Sequence, residues 1–491
     1  MSSRVSCAWN NADGLETPIS ATMNAPGMAL RLGGVVVGII LSEMVSSGSA
    51  QTSALQPATT RAASADRVSG RPEYSRLWHQ AAWDYGWAGG DRFSWLDAGV
   101  DARIRYELRE NDYRTPTLVS DDALFTRTLV YVGVREVIDP VRFAVEFQDS
   151  QRAITDRAVA PTDINSTDLL QAHVDLHFED AIAGQPITAQ FGRMTFDAVD
   201  RRLIARNRFR NAINSFDGFR LRLGAEKGPW EVDAFALRPV LRDTDGFDRS
   251  SNNSLLFGVT GYWRRGSPGI QVEPFWLLTD RTPGPGVSLS QNQHTFGIHG
   301  FGQWDDSRWD YDLSLAGQLG LRGKDSVTAW AVHGEVGYTW DIPWKPRLGL
   351  WVNAASGDRE PGDGTTQSFD PLYGASFAFY GYTGYFIWNN LINPSLRLSI
   401  QPMGRIRAEL IYRTIWLESS RDAWLRGGRQ NPSGQGGDFV GQEIDMRISY
   451  RFFRWLEAEA VYALFLPGDF VANTGPAPVS SFTYLQLTLR F

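Results

Sequence analysis

The sequence predicts a closed, membrane-spanning antiparallel β-barrel of about eighteen strands, and three observations carry that prediction. From residue 96 onward the chain repeats one pattern, an alternating polar and apolar run followed by a turn. The connections between runs are short on one side and long on the other. The composition is rich in aromatics and glycine, with 12% Phe, Trp and Tyr, 18 Trp and 48 Gly, yet the mean hydropathy is only -0.27. Helical membrane proteins need runs of about 20 apolar residues and score far higher. A barrel with one wet face and one greasy face averages near zero.

The alternation is clearest at 96–109. Asp101, Arg103, Arg105, Glu107 and Arg109 fall on one face, and Val100, Ala102, Ile104, Tyr106 and Leu108 on the other. Successive side chains on a strand point to opposite faces, so this run presents one polar and one apolar surface. The same reading places strands near 123–138, 141–151, 167–179, 186–194, 214–226, 229–241, 253–265 and 269–280. It continues through 290–303, 308–321, 327–341, 346–357, 390–402, 404–418, 438–452, 455–466 and 480–491.

Connections after even-numbered strands are short, as at 138–141, 226–229, 402–404 and 452–455. Those after odd-numbered strands are mostly long: 152–166, 195–213, 242–252, 358–389, 419–437 and 467–479. An even strand count with short periplasmic turns and long extracellular loops is the layout of a bacterial outer-membrane barrel. A soluble sandwich has no reason to sort its loops by parity. Loops 358–389 and 419–437, rich in glycine and aromatics, are expected over the extracellular mouth. Trp230, Trp263, Trp304, Trp309, Trp340, Trp344 and Trp455 cluster where strands meet turns, as in the aromatic girdles of membrane interfaces. The last run alternates and stops on Phe491.

The N-terminus reads as a targeting segment. Arg31 precedes the apolar run 32–41, and small residues at 46–50 suit cleavage near Ala50, so 1–50 is expected to be a signal peptide. Met23 or Met28 would be a more ordinary start. Residues 51–95 read as a periplasmic lead-in or latch, polar at first and aromatic from residue 73, with the barrel spanning 96–491. The net charge of -7 argues against a nucleic-acid partner. The one cysteine, Cys7, lies ahead of the cleavage site, which leaves the mature chain without disulfides or cysteine-ligated metal.

The polar parity of each strand must face the lumen, because a midplane Arg facing lipid costs about 2–4 kcal/mol. That assigns Arg103, Arg105, Arg109, Arg127, Arg220, Arg222, Arg397, Arg413 and Arg447 to the interior, with Arg142, Arg405, Arg407 and Arg451. Lysine is almost absent from this set. The planar guanidinium fork matches carboxylates in two-point contact, so the lining suggests an anion-selective pore. The bland alternative is that these charges pair across strands and stiffen the wall. Acidic residues such as Asp101, Asp175, Glu231, Asp233, Asp312, Glu457 and Glu459 fall towards the periplasmic strand ends.

The stretch 191–223 (FGRMTFDAVDRRLIARNRFRNAINSFDGFRLRL) resembles the central signature of the alginate-export family of outer-membrane porins. In that pattern a strand ends in Gly-Arg, a loop carries basic residues, and the next strand opens with Ser-Phe-Asp-Gly. A second block, NAASGDREPGDGTTQSFDPLYG at 353–374, resembles the family's later loop, and Asn390–Pro394 its following strand start. The resemblance covers roughly 73–491 and implies an eighteen-stranded barrel with an electropositive constriction. It implies passage of a polyuronate such as alginate from periplasm to cell surface, with no catalysis and no cofactor. It also places Arg193 at the pore mouth, although simple alternation along 187–194 turns Arg193 outward unless a bulge near Gly192 re-aims it.

The expected partners are an anionic polysaccharide or small anions, outer-membrane lipid, and an export scaffold in the periplasm. Competing readings are a general or small-anion uptake porin and, further off, an outer-membrane barrel enzyme; no nucleophile elbow or phosphate-binding loop supports the latter. The run His173-Val-Asp175-Leu-His177 puts two His and one Asp on one strand face. A metal would need a third ligand from another strand, so polar lumen wall is the default there and no metal is expected.

Overall fold

The computed structural model describes residues 76–77 and 95–491, apart from 116, 155–159, 226–227, 245, 265–269 and 305–306. The expected signal peptide at 1–50 and most of the lead-in at 51–95 lie outside the described residues. Arg76–Leu77 pair antiparallel with Asp97 and Ala98 at the start of the barrel.

Eighteen barrel strands run in chain order. They are β1 (Leu96–Glu110), β2 (Asp121–Ile138), β3 (Val141–Ala153), β4 (Asn165–Ile182), β5 (Gln185–Met194) and β6 (Phe216–Leu223). Next come β7 (Trp230–Leu241), β8 (Ser254–Arg264), β9 (Gln271–Arg281), β10 (Gln291–Gln303), β11 (Trp309–Arg322) and β12 (Asp325–Thr339). The circuit finishes with β13 (Arg347–Ala355), β14 (Leu391–Met403), β15 (Ile406–Trp416), β16 (Phe439–Phe453), β17 (Leu456–Pro467) and β18 (Ser480–Arg490). Each pairs antiparallel with its neighbour, and β1 pairs with β18 from Asp101↔Arg490 to Glu110↔Ser481. Closure removes the sheet edges, so the ladders satisfy the strand backbones without water.

The alternation has the expected sense. On β1 the odd-numbered Asp101, Arg103, Arg105, Glu107 and Arg109 are buried on the inside, while Ile104 and Leu108 stand exposed on the outside. On β13, Leu348, Leu350 and Val352 are exposed and Arg347, Trp351 and Asn353 are buried. An outer surface of exposed Val, Leu, Ile and Phe suits hydrocarbon, and in water it would be an aggregation hazard. At the short-turn rim the indoles form a belt. Trp309 packs on Tyr338 at 4.9 Å between ring centres, Tyr338 on Trp340 at 4.9 Å, and Trp455 on Phe491 at 5.7 Å.

The long-loop rim has one exception to the parity rule: β11 and β12 are joined by Gly323 and Lys324 alone. Gly323 takes φ +64°, a left-handed turn position that glycine adopts without strain. Beside this turn, Thr365–Thr366 from the 356–390 loop pair parallel with Ser326–Val327, so the long loop covers what the short turn leaves bare.

Candidate functional site: a lumen narrowed by two inward loops

The lumen is not an open pipe. Two loops from the long-loop side, 195–215 and 356–390, fold inward against the wall. A loop in the lumen carries carbonyls that have lost water, and each needs a donor. The wall arginines supply them. Arg103 and Arg127, opposite each other on β1 and β2, both donate to the carbonyl of Arg208 at 2.8 Å and to that of Arg210 at 3.2 Å. Arg105 donates to the Phe209 carbonyl at 2.7 Å and lies 4.1 Å from the centre of the Phe209 ring. Asn211, 2% exposed, completes the clamp by donating to the carbonyls of Thr126, Gln151 and Asp163 at 3.0, 2.9 and 2.9 Å.

The second loop is held in the same way. Arg109 donates to the Thr383 carbonyl at 2.9 Å. Arg413, wholly buried, donates to Asp445 at 2.9 Å and to the carbonyls of Phe379 and Ala378 at 3.3 and 3.2 Å. The two loops meet where Phe209 stacks on Phe377, ring centres 3.2 Å apart and planes 9° apart. Towards the long-loop rim, Tyr113, Tyr385, Phe386 and Trp424 from three loops gather on Phe465 of β17 in one apolar cluster.

The remaining arginines expected in the lumen divide by location. Arg397 lies 4.1 Å above the Trp351 ring and 3.7 Å from Glu335. Arg447 bonds Glu459 at 2.7 Å and approaches Glu409 at 3.4 Å, with a quarter of its side chain still exposed. Arg220 is buried, donating to Asp233 at 2.9 Å and lying over Phe196. Arg222 lines a separate cavity of about 180 Å³ with Arg142, His173, Asp175 and His177. There His173 Nδ1 lies 2.8 Å from Asp175 Oδ1 and 3.0 Å from the Gln190 amide, so the wall itself satisfies that ring. Arg193 does not face the main cavity. The register runs unbroken through His173↔Gly192 and Ala172↔Arg193, so no bulge turns it inward. It remains on the opposite parity from buried Gln190, where it binds Asp217 at 2.8 Å and the Asp248 carbonyl at 3.0 Å. Gly192 and Gly218 pair here at φ +122° and +155°. A Cβ at Gly192 would come within 2.3 Å of the Ala172 carbonyl oxygen.

The main cavity, about 360 Å³, lies beside the two loops. Nine arginines line it against six carboxylates, the latter being Asp101, Asp197, Glu335, Glu409, Glu457 and Glu459. Four of the arginines come from the 195–215 loop: Arg201, Arg202, Arg206 and Arg208. Sequence reasoning passed over these four, which carry no strand parity to mark them. The available signal was the density of basic residues in 201–210. Arg206 is spent on Glu146 at 2.8 Å, and Arg202 bonds Asp200. Arg208 keeps a quarter of its side chain exposed while reaching Asp197 at 3.3 Å. Arg201 lies 5.4 Å from the Phe379 ring and makes no ion pair among the described residues. Burial and the neighbouring Arg490 lower the Arg208 guanidinium to about 10. Burial, with Arg242 and Arg426, lowers Arg210 to about 9. In both, loss of hydration is the larger cause and neighbouring positive charge the smaller.

The alginate export family's sequence profile matches residues 94–484. The chain belongs to the alginate export family. Its fold is shared by Pseudomonas aeruginosa OpdO, at 12% identity and a TM-score of 0.54 over 81% of this chain and 97% of that one. OpdQ of the same organism gives 12% and 0.55 over 81% and 98%, and its outer membrane protein opdK gives 12% and 0.54 over 80% and 99%. Comparison with curated proteins gave no match. Family membership and fold together make this chain an outer-membrane β-barrel channel.

Proposed function

We propose that this alginate-export barrel conducts an acidic polysaccharide such as alginate from periplasm to cell surface, passively and with selectivity for anions. The observation that carries the reading is the lining of the main cavity, where nine arginines outnumber six carboxylates and no lysine takes part. The arginines that keep exposed surface there, among them Arg201, Arg208, Arg447 and Arg490, would offer carboxylates two-point contacts. Exposed ion pairs contribute only about 0–1 kcal/mol each, so a polymer could step between them, whereas one tight site would trap it. Passage needs neither turnover nor a cofactor.

In this reading the buried arginines act as scaffold. Arg103, Arg105, Arg109, Arg127 and Arg413 place the loops, and the loops place the arginines that meet the permeant. The test is a planar-bilayer measurement on the Arg201→Ala/Arg208→Ala/Arg447→Ala protein. Its reversal potential in a salt gradient should shift towards cations, and block by an oligouronate should weaken. Raising ionic strength should weaken the block of the unmodified protein too, because the Debye length is already about 8 Å at physiological salt. An unchanged anion preference in the triple variant would mean that these arginines do not filter.

A further inference from the structure

A group of residues on the wall opposite the arginine clamps has no part in that reading. His299 of β10, Asp312 of β11 and Asp200 of the 195–215 loop are buried, at 1%, 3% and 1% exposure. Each offers a donor atom, and the three atoms lie within 4.8 Å of one another. We propose that His299, Asp312 and Asp200 form a binding site for a divalent d-block cation of the zinc class, with His333 of β12 as an adjoining fourth donor.

The hydrogen bonds around the two imidazoles point the same way. His299 Nδ1 lies 2.9 Å from Glu273 Oε2. A carboxylate accepts and does not donate, so a neutral ring carries its one hydrogen on Nδ1 and leaves Nε2 to present its lone pair. That lone pair faces Asp312 Oδ1 at 3.0 Å. Two electron-rich atoms that close need a cation or proton between them. Zinc bonds of about 2.0–2.1 Å hold neighbouring donors roughly 3.3 Å apart, close to the spacing found. His333 repeats the arrangement: Nδ1 is 2.8 Å from the Asn353 side-chain oxygen, and Nε2 is 3.8 Å from the same Asp312 oxygen. An imidazole oriented through its far nitrogen by a carboxylate or amide oxygen is the usual support of a metal-ligating histidine.

Two independent observations agree. Asp312 Oδ2 is buried with no hydrogen-bond partner, an unmet demand that is costly unless something answers it. The charges also leave room for a dication. Asp200 and Asp312 are two carboxylates against Arg202, which bonds Asp200. With both imidazoles neutral these donors keep one excess negative charge. Mixed imidazole and carboxylate donors favour zinc-class ions over calcium or magnesium, which prefer all-oxygen sets. The rival reading is that a proton fills the gap and His299 is an imidazolium braced by two carboxylates.

Because Asp200 belongs to the loop and the other donors to the wall, a bound cation would fasten the 195–215 loop to β10 and β11. The test uses the full-length barrel in detergent, stripped with chelator and dialysed against zinc alone. The unmodified protein should retain one zinc per chain. Retention should be lost in His299→Ala and Asp312→Asn, fall about 10–100-fold in affinity in Glu273→Gln, and persist in His294→Ala, whose ring packs with Trp276 on the outer face. Asp312→Asn keeps the side chain's size, and heat-modifiable migration on gels identifies folded barrels. Failure of the folded unmodified protein to retain zinc, or equal retention in folded His299→Ala, would overturn the site in favour of the imidazolium.

Discussion

Arg413 and Arg201 show how far one residue type divides its work in this lumen. Arg413 is sealed in and shares its guanidinium between Asp445 and two loop carbonyls. Arg413→Ala should leave Asp445 buried without its cation, a loss of about 3–5 kcal/mol, read as a lowered unfolding temperature. Arg201→Ala removes a half-buried side chain with only a ring contact. It should leave thermal stability nearly unchanged while reducing anion selectivity. A residue-scale pH effect is expected at Asp248, in the 242–253 loop. Burial and the neighbouring Asp168 raise its carboxyl to about 6. A carboxyl raised on folding stabilises the folded form fully below its unfolded value near 4 and loses that contribution as pH rises through about 6. Protection of this loop against hydrogen exchange, taken relative to intrinsic exchange at each pH, should therefore fall between about pH 4 and 6, and Asp248→Asn should flatten the profile.

At the scale of the element, inward folding of the loops is what narrows the lumen of a wide barrel. The 356–390 and 417–438 loops meet at Tyr385, Phe386 and Trp424, and the Trp424 indole donates to the Tyr385 carbonyl at 2.8 Å. Aromatic packing of this kind contributes about 0.5–1.5 kcal/mol per pair beyond area burial, so several contacts must open together before the cluster parts. Replacing 423–428 by a short glycine-serine linker removes Trp424 and should raise single-channel conductance. Unchanged conductance would place the limiting constriction at the Phe209–Phe377 stack instead. The strands were legible to within three residues at either end. The runs read at 96–109 and 480–491 are Leu96–Glu110 and Ser480–Arg490 in the barrel, because alternation is a local property that each strand carries within itself.

For the whole molecule, closure rests on the seam between first and last strands. Val100 and Phe491 exchange both backbone hydrogen bonds at 3.0 Å. Arg490 reaches Asp101 at 3.0 Å, and the Phe491 ring stacks on Trp455. Deleting Phe491 removes the terminal pair and the ring that seats it in the interfacial belt. The yield of heat-modifiable, folded barrel should fall several-fold, and a Tyr in its place should restore most of it. A yield equal to that of the intact chain would show that the seam closes without its last residue.

The sequence by itself determined the strand count, the inward parity of the wall arginines and the sorting of loop lengths. Each follows from a two-residue period or from turn length, which neighbouring residues set without reference to the rest of the chain. The direction in which the long loops fold was decided only in three dimensions. No periodicity marks 195–215 or 356–390 as lumen-filling, since their partners are carbonyl-seeking arginines more than a hundred residues away in several cases. For the same reason Arg103, read from its parity as part of the lining, was legible in position but not in task. Parity states which way a side chain points. What it meets there depends on which loop has arrived, and that is a property of the closed barrel.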